Sequence, residues 1–83
     1  MKLGAYSIYD TKSEVYDPPV FMRDNNAAKR HFLTIVQDPK NIISKWKDEY
    51  ELYKIGVFDM NTGAFDKDME LVIQGKQVNL GDR

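Results

Sequence analysis

Apolar and polar residues alternate over residues 2–9, which is the pattern of a β-strand with two different faces. The residues of one face are Leu3, Ala5, Ser7 and Tyr9, and those of the other face are Tyr6 and Ile8. A polar cluster at 10–13 predicts a turn, after which residues 15–16 form a short return strand. Residues 18–19 are prolines, which lack the N–H that a sheet ladder needs, so this strand ends there at an edge.

A helical pattern follows between Asp24 and Gln37. The polar run 24–26 can accept a hydrogen bond from a free N–H of the first turn. Apolar residues then recur at the spacing of one helix face, and they are Ala28, Phe32, Ile35 and Val36. Lys29 and Arg30 point away from this face. The helix ends at Asp38-Pro39 because the residue before a proline avoids the α region.

The middle of the chain predicts one short helical turn at 41–46 and a long strand at 50–59. We expect Trp46 to pack its base against the body of the protein. Both faces of the strand are partly apolar, which places it in the centre of the sheet. The residues expected on one face are Tyr53, Ile55 and Val57, and those expected on the other are Leu52, Gly56 and Phe58.

The C-terminal part predicts a turn and one or two further strands. The turn at 59–63 contains Gly63, which can adopt a positive φ. A return strand begins at 64–65, residues 69–73 form another candidate strand, and a glycine then interrupts the pattern. The tail from about residue 76 to 83 is poor in apolar side chains and is expected to fray.

Together these elements predict a single α+β domain over residues 1–83. The expected order is β-β-α-β-β, with about four or five strands in a small antiparallel sheet and one main helix packed on one face. One helix of about four turns cannot cover both faces, so the other face would expose tyrosines and aliphatic side chains. We therefore expect a homodimer, formed through the uncovered face or through an edge strand.

Composition and residue chemistry exclude several classes of protein. The chain has no cysteine, which removes disulfides, thiolate metal sites and cysteine nucleophiles. Its single histidine, His31, lies within the predicted helix and is assigned a structural or surface role. Carboxylates near the predicted hairpin tip lack the register of a calcium-binding loop, and they are Asp59, Asp66, Asp68 and Glu70. We expect a protein that is not an enzyme and binds no cofactor or metal.

No apolar stretch reaches the length of a secretory signal or a membrane span, so we expect a soluble cytoplasmic protein without membrane contact. Twelve basic and 13 acidic residues give a net charge of −1, which argues against a simple polycation. The charge is nevertheless uneven. Residues 23–47 carry six basic and two acidic residues, a sum of +4, and residues 48–70 carry seven acidic and two basic residues, a sum of −5.

A chain with this charge distribution can pair with a copy of itself, offer one face to phosphate, or simply carry two solvated faces. Aromatic residues lie close to the cations in the basic segment, and cations combined with aromatic rings are typical of proteins that bind single-stranded nucleic acid. The candidate DNA-contact residues are Lys29, Arg30, Lys40, Lys45, Trp46 and Lys47.

Several short segments follow a recognisable order and spacing over roughly residues 1–65. They are residues 1–3, 6–10, Tyr16, 18–21, Ala28, Arg30, Phe32, 38–39, 48–59 and 61–63. Together they resemble the small nonstructural protein of gokushoviruses, tailless icosahedral phages with single-stranded DNA genomes. The resemblance implies a protein absent from the mature capsid, linked by analogy to DNA binding and packaging, with no catalytic residues. Many relatives carry a proline where Lys47 precedes the acidic pair here, and this additional cation favours phosphate contact while leaving the local turn less defined.

Two functional hypotheses follow. The first is a non-enzymatic phage accessory protein of the host cell cytoplasm, acting in viral DNA replication and packaging by weak, sequence-independent DNA binding, with single-stranded DNA favoured over double-stranded DNA. The alternative is a dimeric protein-interaction module that docks the phage replication or procapsid proteins without DNA contact. Salt dependence separates the two, because phosphate contacts weaken steeply with salt and apolar contacts do not.

Overall fold

The computed structural model describes residues 1–79, and within them it confirms the α+β class. Five antiparallel strands form one sheet, with one main helix on a single face. The strands are β1 (Lys2–Asp10), β2 (Val15–Tyr16), β3 (Val20–Met22), β4 (Tyr50–Asp59) and β5 (Phe65–Gln74). The helices are α1 (Asn25–Gln37) and α2 (Ile42–Lys45), and 3₁₀ turns occupy Lys47–Glu49 and Gly75–Gln77.

The sheet has the order β2-β1-β4-β5, and β3 also pairs with β1. Strand β4 pairs with β1 from residue 2 to residue 10, so β2 and β3 share the opposite edge of β1. Strand β2 pairs with Tyr9 and Asp10, whereas β3 pairs with residues 4–6. The predicted central position of β4 is confirmed, and β5 forms the far edge.

The strand order differs from the predicted one in two places. Strand β3 precedes the helix and was not predicted, because three residues are too few to display an alternating pattern. The two C-terminal candidate strands are in fact one continuous strand, β5. The buried hydroxyl of Ser7 donates to the carbonyl of Asp17 at 2.6 Å and holds the chain beside β1 just before the two prolines.

Helix α1 begins and ends at the predicted residues. The Asp24 carboxylate accepts a hydrogen bond from the N–H of Ala27 at 2.9 Å, and Asp38 caps the other end. Three residues at every fourth position are fully buried, and they are Ala28, Phe32 and Val36. Ile35 was expected to share this burial, but it is only partly buried because it lies to one side of that row. The row packs against Tyr6 and Leu52 of the sheet.

The predicted alternation along β4 holds as far as Ile55 and is wrong beyond it. The pairing with β1 passes from Lys54 directly to Gly56, so Ile55 is an extra residue in a β-bulge. Val57 consequently lies on the side of α1, beside Lys54, and Ile55 lies on the opposite side, beside Phe65. A one-residue insertion reverses the faces of all later positions, and the sequence pattern alone did not reveal it.

The described chain continues past the point where fraying was expected to begin. The 3₁₀ turn Gly75–Gln77 packs against the turn Lys47–Glu49, and Val78 is buried in the core. Within the described residues the expected fraying is not seen as far as Val78, because this side chain supplies an apolar anchor. Residues 80–83 of that predicted tail lie outside the described residues.

Candidate nucleic-acid interface

The two candidate cations of α1 lie on different parts of the helix surface. Arg30 is exposed, because it lies half a helical turn away from the buried residues Ala28 and Phe32. Lys29 is half-buried at the side of the helix. His31 is exposed, as expected for a surface residue.

The next two cations lie in the segment that follows α1, and both are exposed. The Asp38 carboxylate accepts a hydrogen bond from the N–H of Lys40 at 2.9 Å, which fixes the turn that carries this lysine. Lys45 is the last residue of α2, whose first turn is capped by Asn41 through a 2.9 Å hydrogen bond to the N–H of Ile43. Two local caps thus position these cations without using their ammonium groups.

Trp46 follows Lys45 directly and is 51% exposed. The expectation that its base packs against the body of the protein is therefore not met for much of the side chain. The indole lines a shallow depression of about 300 Å³ together with Lys45, Lys47 and neighbouring residues of the connection. A half-exposed tryptophan beside a free lysine can stack on a nucleobase while the lysine contacts phosphate.

Lys47 differs from the other candidates because its charge is already paired. Its Nζ lies 2.8 Å from a carboxylate oxygen of Asp48 and donates to the carbonyl of Gly75 at 3.4 Å. Within residues 1–79 the other ion pair joins Lys54 to Asp68 at 3.3 Å. The cations of Lys29, Arg30, Lys40 and Lys45 therefore form no ion pair in the described part of the chain.

Asp66, Asp68 and Glu70, which were expected near a hairpin tip, lie along strand β5. Asp68 is paired with Lys54, and the Glu70 carboxylate accepts a hydrogen bond from Asn25 Nδ2 at 3.4 Å. Asn25 is the first residue of α1, so Glu70 lies beside the N-terminal end of this helix. Lys40 and Lys45 follow its C-terminal end, and a helix of 13 residues separates the two ends by about 20 Å. The fold thus keeps the acidic strand apart from these lysines.

The sheet face away from α1 carries a second notable surface, here called the aromatic face. Its rings are Tyr9, Tyr16, Phe21, Tyr53, Phe58 and Phe65. The three tyrosine rings contact one another with centroids 4.4 to 6.0 Å apart, and the rings of Phe21 and Phe58 are 5.6 Å apart. The sequence predicted an uncovered apolar face but not these clusters, because the bulge at Ile55 and the pairing of β3 decide which rings meet.

One carboxylate of the aromatic face is held by neutral donors. Glu51 accepts hydrogen bonds from Gln74 Nε2 at 2.8 Å and from the hydroxyl of Tyr53 at 3.3 Å. Burial, and then the neighbouring Glu51 carboxylate, raise the pKa of Tyr53 above its usual value, so this phenol remains a neutral donor. Because neither donor carries a charge, the negative charge of Glu51 is not neutralised by them.

Other chemistry is sparse in the part of the chain that the structure describes. Residues 1–79 contain no group of three or more histidine, cysteine, aspartate or glutamate side chains arranged to hold a metal ion. Among the helices of the same residues, none combines the length and the apolar character that a membrane crossing requires.

Comparison with known proteins assigns the chain to a family. Residues 3–78 match the family described as phage ORF5 protein, and the chain therefore belongs to this family of phage proteins. Protein ORF5 of Chlamydia phage 1 is 33% identical over 69 residues, which cover 78% of this chain and 72% of the relative. The resemblance to the small gokushovirus protein is thereby confirmed. No solved structure matches the chain.

Proposed function

We propose that this phage protein is a non-enzymatic accessory protein that binds single-stranded DNA during genome replication and packaging in the host cytoplasm. Binding is weak and independent of sequence. The contact surface consists of Arg30, Lys40 and Lys45 with the indole of Trp46, and Lys29 and Lys47 lie at its margin. The observation that carries the proposal is the exposed, unpaired Lys45 beside the half-exposed Trp46, together with the exposed, unpaired cations of Arg30 and Lys40.

The charge arrangement supports this surface despite the net charge of −1. Carboxylates repel phosphate. Asp48 and Glu49 line the depression beside Trp46, and Asp48 is paired to Lys47. The acidic part of β5 lies toward the other end of α1, with one acid paired to Lys54. At physiological salt, electrostatic repulsion fades over about 8 Å, which is less than the length of α1. The lysines after α1 are therefore available to a DNA backbone even though the whole molecule is slightly acidic.

The first experiment is a titration of the protein with a fluorescent single-stranded oligonucleotide and with its duplex, in which anisotropy is measured at two salt concentrations. Three phosphate contacts should lower the affinity for single strands by about 20-fold between about 50 and 200 mM salt. Trp46 is the single tryptophan, so quenching of its fluorescence reports whether the indole stacks on a base.

A charge-matched pair of variants locates the surface. The double variant Lys40→Glu, Lys45→Glu should abolish binding of the single strand. The control Lys2→Glu, Arg23→Glu makes the same change in net charge at two exposed residues near the N-terminal end of α1, and it should bind more tightly than the first variant. Equal binding by the two variants, or no binding by the unaltered protein at low salt, would refute the proposal.

The alternative is a protein-interaction module that docks replication or procapsid proteins without DNA contact. The observation that favours it is the uncovered aromatic face, because exposed apolar surfaces of several hundred Å² are typical of protein interfaces. This hypothesis expects no DNA binding at any salt concentration and no effect of the lysine substitutions on partner binding.

A further inference from the structure

The aromatic face leaves several large apolar side chains in contact with water. Phe65, Phe21 and Tyr16 are 49%, 46% and 43% exposed, and Met69 and Leu71 are exposed to a similar degree. A large aromatic side chain presents roughly 200 Å², so these five residues leave on the order of 500 Å² in contact with water. Two such faces in contact would bury about 1,000 Å² of apolar side-chain surface. Residues at the rim of the sheet would add to this area. The total would then approach about 1,200 Å², which is the lower end of the range for specific interfaces.

On this face, strands β4 and β5 carry two charged side chains that are well separated along the strands. Strands β4 and β5 contribute Glu51 and Lys67, because the other charged residues of these strands lie on the side of α1 or at its margin. Glu51 pairs with Gln74, whereas Lys67 pairs with Gly56, five residues further along β4. The two charges are therefore about 17 Å apart along the strands. Neither belongs to an ion pair within the described residues.

We propose that the aromatic face is the interface of a homodimer, in which the sheets of two copies pack face to face. A two-fold axis that lies between the two sheets and is perpendicular to the strands places each end of one sheet over the opposite end of the other sheet. Lys67 of each copy then lies over Glu51 of the other, and both unpaired charges are neutralised. Between these two ion pairs lie Tyr53, Ile55, Met69 and Leu71, which the contact shields from water.

Two features favour a second copy over the other possible occupants. A nucleic-acid strand needs several cations along its phosphates, and β4 and β5 offer Lys67 alone on this face. Pairing through the free edge of β5 is opposed by charge, because an antiparallel pairing centred on Asp68 sets Asp66 of one copy opposite Glu70 of the other. The face therefore suits a copy of itself better than DNA, and better than the edge does.

The first test compares two methionines of the same hairpin by sedimentation equilibrium in the absence of DNA. Met69 is 45% exposed on the aromatic face, and Met60 is 53% exposed at the hairpin tip. Met69→Glu places a carboxylate in the interface and should raise the dimer dissociation constant at least about tenfold. Met60→Glu adds the same charge outside the interface and should change it by less than about twofold.

The second test uses a charge exchange that depends on the proposed axis. Lys67→Glu alone sets two carboxylates against each other at both ends of the dimer, and Glu51→Lys alone sets two ammonium groups against each other. Each variant should therefore dimerise more weakly than the unaltered protein. A mixture of the two restores an opposite-charge pair at both ends, so heterodimers should exceed homodimers, as measured by native mass spectrometry. Circular dichroism of each variant alone verifies that it is folded.

Several outcomes would overturn the proposal. A monomeric unaltered protein at a few hundred micromolar would do so, as would equal effects of the two methionine substitutions. A mixture without excess heterodimer would reject the axis. If the protein is monomeric and Met69→Glu abolishes DNA binding, the face is instead a platform for bases. Because dimerisation is measured without DNA, its failure is distinct from failure of the DNA-binding proposal.

Discussion

At the scale of single residues, Gly75 is a position where the fold has no room for a side chain. A Cβ at this position would collide with the carbonyl oxygen of Lys47 and would lie 2.9 Å from that of Tyr50. Both neighbours are backbone atoms, so they cannot rotate away. Gly75→Ala should therefore lower the free energy of unfolding by about 2 to 3 kcal/mol, measured by urea denaturation.

The matched control is Gly63→Ala, in the turn between β4 and β5. Gly63 has a φ of 78°, but a Cβ there would meet no atom within 4 Å. The cost is backbone strain alone, about 1 kcal/mol. A loss at Gly75 no larger than the loss at Gly63 would contradict the close approach of the two 3₁₀ turns.

At the scale of elements, the sequence predicted those whose signals are local. Asp24 and the pair 38–39 mark both ends of α1, and the long alternations mark β1 and β4. Strand β3 escaped prediction because its three residues are ordered by pairing with β1 rather than by their own pattern. The bulge at Ile55 was not predicted for a similar reason, since it is defined by the register between β1 and β4.

The hairpin turn between β4 and β5 contains a carboxylate whose ionised form stabilises it. Asp59 accepts a hydrogen bond from the N–H of Asn61 at 2.8 Å, and this bond is the main reason that the pKa of Asp59 is lowered. The stabilisation is complete above the ordinary pKa of about 3.9 and is lost as the pH falls through the lower value of the folded state.

Asp59→Asn keeps an acceptor oxygen but removes this titration. The variant should therefore show a shallower loss of stability than the unaltered protein between about pH 5 and pH 2, when thermal unfolding is measured across that range. Parallel curves for the two proteins would show that the ionised form of Asp59 does not contribute.

At the scale of the whole molecule, stability depends on a small hydrophobic core that lies between a single helix, α1, and the sheet. Phe32 is fully buried and lies in the middle of the row that α1 packs against the sheet. Phe32→Ala should cost about 3 kcal/mol, a large share of the stability of a small domain, and should lower the melting temperature markedly. Leu33→Ala, at the partly buried neighbour, should cost less. An unchanged melting temperature for the Phe32 variant would be inconsistent with this core.

The sequence predicted which residues belong to the candidate site, but not the contacts that these residues make. The charge count predicted the basic segment and its tryptophan. This was possible because residues that are close in sequence stay close in space along α1 and the segment that follows it. That Lys47 also donates to the carbonyl of Gly75 depends on the packing of two 3₁₀ turns distant in sequence. The contacts among Tyr9, Tyr16 and Tyr53 likewise depend on strand pairing.

The placement of α1 on one face of the sheet also determines how many separate DNA-binding surfaces the proposed dimer carries. Copies that meet through their aromatic faces turn their helices outward, so the cations after α1 point in opposite directions on the two sides of the dimer. Such a dimer does not widen one DNA-binding surface but carries two separate ones. It would bridge distant segments of one flexible strand and draw them together, and it would compact a single-stranded genome most effectively when neither DNA nor protein is in large excess.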